Sequence, residues 1–375
     1  MMTPLSLWRP QSCVAKSNPF SRSLKWIAFV AITACIILLL CLFSMSPIYA
    51  SEEKVVNVYN WADAISEPLL RKFEEETGIK VNYSTYNSNE VLYAKIKLSP
   101  KSGYDVIVPS TYFIDRMRKQ KMLQKIDKSK LPNFKNIYPT LLNKPYDPKN
   151  EYSVPYFWNI TGILINTRYH KPNSVSAWAD LWKPEYKNQL LILDDTREVF
   201  SMALLQLGYS VNTTNPEHIR AAFESLKKIL PNIKLFNVAA QKSNYIDEDI
   251  MLGMGWNGDA YIAHRENPNV QFIFPKEGFV ISLDSMAIPK NAPHVDNAHK
   301  FIDFILRPEN AKEVSLATGM GIANKAGVEL LPDNLRKNKT VYPDEDVLKR
   351  GEFLMDIGDA ATMYEKYFEL LKLQG

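Results

Sequence analysis

The sequence predicts an α/β protein of two closely packed lobes, each a mostly parallel sheet flanked by helices. Three observations support this. Short β-branched segments alternate with amphipathic helices from residue 55 onward. The body after the first fifty residues is about 325 residues long, more than one hydrophobic core usually serves. No internal repeat, low-complexity tract or long flexible linker interrupts it, so the lobes must be joined by short crossings.

The chain opens with Arg9, Lys16, Arg22 and Lys25 and no acid, then runs apolar from Trp26 to Phe43. Basic first and apolar second is the order of a secretory signal peptide, expected over residues 1–50. Pro47 breaks the run and Ala50 supplies a small residue before Ser51, so cleavage is expected after Ala50. The competing expectation is a retained anchor, because residues 27–45 lack charge, glycine and proline and are long enough to span a hydrocarbon core.

Lys plus Arg number 45 and Asp plus Glu 41, and four of those bases lie in the leader, so the mature body is formally neutral. Nucleic acid is therefore not implied as a partner. All three cysteines, Cys13, Cys35 and Cys41, also lie in the leader, and the body needs no disulfide.

The first strand is expected over 55–59, where Val55, Val56, Val58 and Tyr59 cluster. A helix follows over 67–77, with Leu69, Leu70 and Phe73 at helical spacing and Gly78 as its stop. A strand over 79–83, a helix over 90–98, a strand over 105–109 and a helix through 114–118 repeat the pattern. Further strands are expected over 161–166, 190–193, 251–256, 270–274 and 285–288. Helices are expected over 195–207, 217–230, 295–306, 309–318 and 359–373, with a short tryptophan-bearing turn over 178–182. Asn215 and Pro216 fit the cap and first turn of the second of these helices.

Ligands in open α/β sheets bind at the carboxyl ends of strands, and the candidate residues cluster there. Ser110 and Tyr112 lie between a strand and a helix, where Ser110 is also a natural helix cap. Asp195 and Glu198 follow the strand at 190–193 and share the opening face of a helix. They are either dipole partners or a carboxylate pair for an ammonium group, which needs charge and hydrogen bonds to replace its lost water. Trp61 and Trp256 end strands and suit an aliphatic chain or a cation over the ring face. Asp284 stands between Leu283 and Ser285 as a cap or a second anchor.

No phosphate loop, dinucleotide fingerprint, nucleophile elbow or zinc helix is present, and the five histidines form no close pair. Neither an enzyme nor a metal or cofactor site is expected. A hydrolase built from Asp195 with Glu198 or Asp284 is the weak enzymatic alternative.

Several motifs in the same order extend over nearly the whole body. They are Val58-Tyr59-Asn60-Trp61, Tyr104-Asp105-Val106-Ile107-Val108-Pro109-Ser110-Thr111-Tyr112, Ser176-Ala177-Trp178-Ala179-Asp180-Leu181-Trp182, Asp194-Asp195-Thr196-Arg197-Glu198, Trp256-Asn257-Gly258 and Asp284-Ser285-Met286-Ala287-Ile288-Pro289. Together they resemble the periplasmic spermidine/putrescine-binding proteins, the solute receptors of polyamine ABC importers.

The resemblance implies a type II periplasmic binding-protein fold with discontinuous lobes, 51–159 with 283–328 and 160–282 with 329–375. It also implies a soluble, monomeric mature protein in the periplasm that delivers a linear polyamine to an inner-membrane ABC permease. By the same resemblance Trp61, Ser110, Tyr112, Asp195, Glu198, Trp256 and Asp284 contact the ligand. Asp195 and Glu198 would hold one amine and Asp284 another, with the aromatic rings flanking the methylenes. Four positions depart from the family pattern: Ala64 and Met320 replace tyrosines, Ser282 a tryptophan and Leu354 a glutamine. The charges are kept and part of the wall is changed. A receptor for another cationic or small solute, and a membrane-held ligand sensor, remain the alternatives.

Overall fold

The computed structural model describes residues 52–374 except Pro100, Pro172 and Ala239. The expected signal peptide, its cut after Ala50 and the alternative anchor lie outside the described residues. Among the described residues no helix is long and apolar enough to cross a membrane.

The first sheet contains β1 (Val55–Trp61), β2 (Lys80–Tyr86) and β3 (Val106–Ile107), parallel and in the order β2-β1-β3. Its helices are α1 (Glu67–Thr77), α2 (Asn89–Leu98) and α3 (Thr111–Lys119). Helix α1 carries Pro68 in its first turn and ends at Gly78, whose φ of 66° is a left-handed turn that glycine adopts without a Cβ penalty. Its inward face buries Leu69 and Phe73, and the Phe73 ring meets Phe301 and Phe304 edge-on at 5.3 and 5.2 Å. Strand β3 is shorter than expected because the next carbonyl, that of Val108, accepts from Trp61 Nε1 at 2.9 Å and Tyr86 Oη at 2.6 Å.

The chain continues through β4 (Val154–Asn166), β5 (Leu190–Ile192), α4 (Thr196–Gln206), α5 (Pro216–Ile229), β6 (Ile233–Phe236) and α6 (Gln241–Ile246). Next come β7 (Leu252–Trp256), α7 (Asn257–Glu266), β8 (Val270–Ile273) and β9 (Phe279–Met286). It ends with α8 (Val295–Ile305), α9 (Pro308–Thr318), β10 (Gly321–Ile322), the short helices α10 (Lys325–Glu329), α11 (Asp333–Arg336) and α12 (Glu345–Leu348), then β11 (Gly351–Phe353) and α13 (Ala361–Lys372). Asn215 caps α5 as expected, its side chain accepting from Glu217 N.

The second sheet has the order β11-β9-β4-β7-β5-β6, with β8 and β10 also paired to β4. Parallel ladders join β5 to β6 and β7, and β9 to β11, whereas every ladder of β4 is antiparallel. Strand β4 is the long element. Its first half pairs with β9 up to Ile160, and its second half pairs with β7 from Thr161.

This passage divides the cores. One contains Phe73, Phe301 and Phe304 together with Leu331, Leu335 and Val341, and another contains Leu190, Phe200, Leu226 and Phe368. The fold is the two-lobed α/β type expected. The strand expected over 285–288 is instead the end of β9, which starts at Phe279.

Candidate functional site: an acidic cleft at the strand ends

A cleft of about 240 Å³ opens where strand ends meet helix starts. Trp61 ends β1, Ser110 and Tyr112 follow β3, Asp195 and Glu198 follow β5, Trp256 ends β7, and Asp284 lies within β9. All seven line this one cleft, as do Ser282, Met320 and Leu354.

Ala64 does not. It is fully buried in the core and its carbonyl accepts from Tyr156 Oη at 3.1 Å, while Ala62 and Asp63 form the wall at that turn. The expectation of an altered cleft position at Ala64 is therefore corrected: the tight turn after β1 points the two residues before it toward the opening and Ala64 inward.

Ser110 is positioned as a helix cap but does not act as one through its side chain. Its hydroxyl donates to Asp284 Oδ1 at 2.5 Å and accepts from Asn89 Nδ2 at 3.1 Å. The same amide nitrogen donates to Tyr112 Oη at 3.0 Å, and Asn89 Oδ1 accepts from Ser110 N. Asn89 thus fixes both hydroxyls, a role its residue type alone does not announce. Burial pushes the Asp284 carboxyl up to about 7, against the opposing hydrogen bond from Ser110.

Asp195 does cap its helix. Its Oδ1 accepts from Arg197 N at 2.9 Å and Glu198 N at 3.0 Å. Glu198 is buried at 4% exposure, and its Oε2 has no hydrogen-bond partner. Burial, then the nearby Asp195, raises the Glu198 carboxyl against the opposing side chains of Thr161 and Trp256, and burial raises that of Asp195 too. A dry carboxylate oxygen with no donor is costly, and a cationic group brought to it would remove that cost.

Arg197, between these two acids, does not fill the role. Its guanidinium is buried and donates to Met355 O, Val211 O and Asn212 Oδ1, with its plane near the rings of Tyr112 and Tyr364.

Two further acids complete the cleft. Asp63 has φ 58°, and Asp259 opens helix α7 three residues after Trp256. The Asp259 carboxyl is pushed up to about 6, by burial first and opposed by Lys242, and its Oδ2 accepts from Gln241 Nε2 at 2.9 Å. The spacing of Trp256 and Asp259 repeats that of Asp195 and Glu198, and this was the available sequence signal for Asp259. Among the described residues, no group of three or more His, Cys, Asp or Glu is arranged to hold a metal ion.

A family model described as bacterial extracellular solute-binding protein matches residues 69–341. The chain belongs to that family. It is a family of solute-binding proteins and not of catalysts. Among curated relatives, this solute-binding protein is 49% identical over 328 residues to the spermidine/putrescine-binding periplasmic protein of Salmonella typhimurium, covering 88% of this chain and 94% of that one. It is 37% identical over 319 residues to a putrescine-binding periplasmic protein of Pseudomonas aeruginosa, covering 80% and 87%. Among solved structures, the spermidine/putrescine ABC transporter substrate-binding protein of Streptococcus pneumoniae superposes with a TM-score of 0.74 at 36% identity, covering 85% of this chain and 99% of that one.

Proposed function

We propose that this protein is an extracytoplasmic receptor that captures a linear polyamine and hands it to an ABC importer. The observation that carries the reading is the gathering of Asp195, Glu198 and Asp284 in one cleft, with Glu198 Oε2 buried and unpartnered. Its nearest chemical complement is a chain-like cation: ammonium groups for the acids and methylenes for Trp61, Tyr112 and Trp256. Neutral solutes and anions bring no charge to these acids and leave Glu198 Oε2 unpaired, at a cost of about 1–3 kcal/mol for one such buried group.

In this reading Asp195 and Glu198 hold one amine, Asp284 holds the next, and Ser110 orients Asp284. The lobes are 51–159 with 283–328 and 160–282 with 329–375. The change of partner along β4 at Ile160 and Thr161 supports the first boundary, whereas the packing of Leu331, Leu335 and Val341 with Phe301 moves the last one from 329 to after Val341. The leader is cleaved after Ala50, the mature protein is a periplasmic monomer, and its partner is an inner-membrane permease.

Isothermal titration with putrescine, cadaverine, spermidine and spermine tests the ligand. Saturable binding of at least one, with none for neutral diols of equal length, is expected; equal binding of the diols would sink the reading. N-terminal sequencing of the exported protein should begin at Ser51, and an intact leader would favour the anchored sensor.

A further inference from the structure

The acidic cleft contains a cation of its own. Lys242 lies in the first turn of α6 and lines the cleft beside Gln241, whose side chain holds Asp259. Lys242 is half-buried, and among the described residues its ammonium takes part in no hydrogen bond or ion pair with a fixed partner. Its charge nonetheless reaches Asp259, whose carboxyl it pulls down, while Asp63 pushes the same group up.

The cleft acids therefore fall into two unlike settings. Glu198 feels Asp195, the neutral side chains of Thr161 and Trp256, and Arg197, and Arg197 is committed elsewhere by three hydrogen bonds. Asp259 feels Asp63 and the uncommitted Lys242. At the first setting neutralisation must come from the ligand. At the second, the chain brings an ammonium on a four-carbon tether, close to the stem and head of a polyamine terminus.

We propose that Lys242 sets ligand length by standing in for a ligand amine beside Asp63 and Asp259. The inference rests on the polyamine reading above. A diamine that satisfies Asp195, Glu198 and Asp284 leaves Lys242 in place. A triamine must bring its third ammonium toward the same acids as Lys242, and either meets a like charge or drives the lysine into solvent.

The test is calorimetric titration of wild type, Lys242→Met and Lys242→Arg with putrescine and spermidine. Methionine keeps an apolar stem of similar length and removes the charge. In Lys242→Met, spermidine affinity is expected to rise about tenfold and putrescine affinity to change less than about threefold, since one charge contact near a partly exposed acid is of that order. Lys242→Arg should keep the wild-type ratio. An unchanged ratio in Lys242→Met, or an equal loss for both ligands, overturns the assignment while leaving the polyamine reading standing. If wild type binds neither amine, the polyamine reading itself fails and this inference falls with it. Unchanged melting temperatures for both variants confirm that the ratio is read on folded protein.

Discussion

Two helix ends that line the cleft are built from similar pieces and behave differently. At one, Asp195 and Glu198 open α4; at the other, Trp256 and Asp259 open α7 with the same spacing of three. Helix starts carry partial positive charge, a poor environment for a cation unless carboxylates reverse its sign. At α4 the reversal is rigid: Asp195 is pinned by two backbone donors, and Glu198 is buried with an empty oxygen. At α7 it is adjustable, because Asp259 is half-buried and shares its surroundings with Gln241, Asp63 and Lys242. The rigid end suits recognition of a common feature, a terminal ammonium. The adjustable end suits discrimination among chains that share that feature.

The largest effect should come from the rigid end. Glu198→Gln removes the charge that a ligand is expected to neutralise, and affinity should fall at least about 100-fold, the upper range for a desolvated charged hydrogen bond. Asp195→Asn should weaken binding at least about tenfold with little change in melting temperature, because an amide oxygen can still accept from Arg197 N and Glu198 N. Asp195→Ala should add a stability loss of about 1 kcal/mol from the missing cap. Calorimetry with thermal melts separates the two. Wild-type affinity in Glu198→Gln would mean the empty oxygen faces no ligand.

A pH series comes next. Asp284 is raised from its ordinary 3.8 to about 7 by burial, so the folded protein binds this proton more tightly than the unfolded chain does. Its contribution to stability is present below about pH 4 and is lost as pH rises through about 7. The ligand-free protein should therefore lose melting temperature between these limits, and Asp284→Asn should flatten that slope. A cation stabilises the ionised form, so wild-type affinity should increase with pH over the same window. Parallel melting curves for wild type and Asp284→Asn would refute the burial argument.

The contrast between the ends also explains what the sequence made readable. The βα order, helix α1 with its glycine stop, and the acids of α4 follow from local pattern and turn chemistry. Strand β9 was half hidden, because Ser282 and Asp284 face the cleft and interrupt an apolar run that continues through Leu283 into the core. The first half of β4 was obscured by Pro155, Trp158 and Asn159. Lys242 was missed because α6 is six residues long and shows no clear period, and Ala64 was misplaced because a turn, unlike a strand, gives no alternation from which to read direction. Arg197 and Asn89 hold the site through contacts distant in sequence, with Met355 for the first and Tyr112 for the second.

A smaller effect is expected at Ser110. Its hydroxyl is one of the few groups favouring the ionised form of Asp284. Ser110→Ala should reduce affinity about 3- to 10-fold and move the affinity–pH profile upward, because burial is then opposed only by Trp61. A uniform loss at every pH would instead assign the hydroxyl a contact with the ligand.

The smallest effect is expected on the wall. Ser282 and Asp284 are two apart on β9 and both line the cleft, so a ring at 282 would lie beside the acid without replacing it. Gly319, with φ 71°, turns the chain ahead of Met320, and a Cβ there would come within 2.6 Å of Gly258 O, so this part of the wall has little freedom to move away. Ser282→Trp should therefore fill space in the cleft and strengthen the ligand that still fits by about 2- to 5-fold, roughly the value of one aromatic contact in a packed site. It should also narrow the cleft, so the gain should be smaller for the longer spermidine than for putrescine. An equal gain for both would show that the ring packs on methylenes common to the two ligands and leaves the adjustable end untouched.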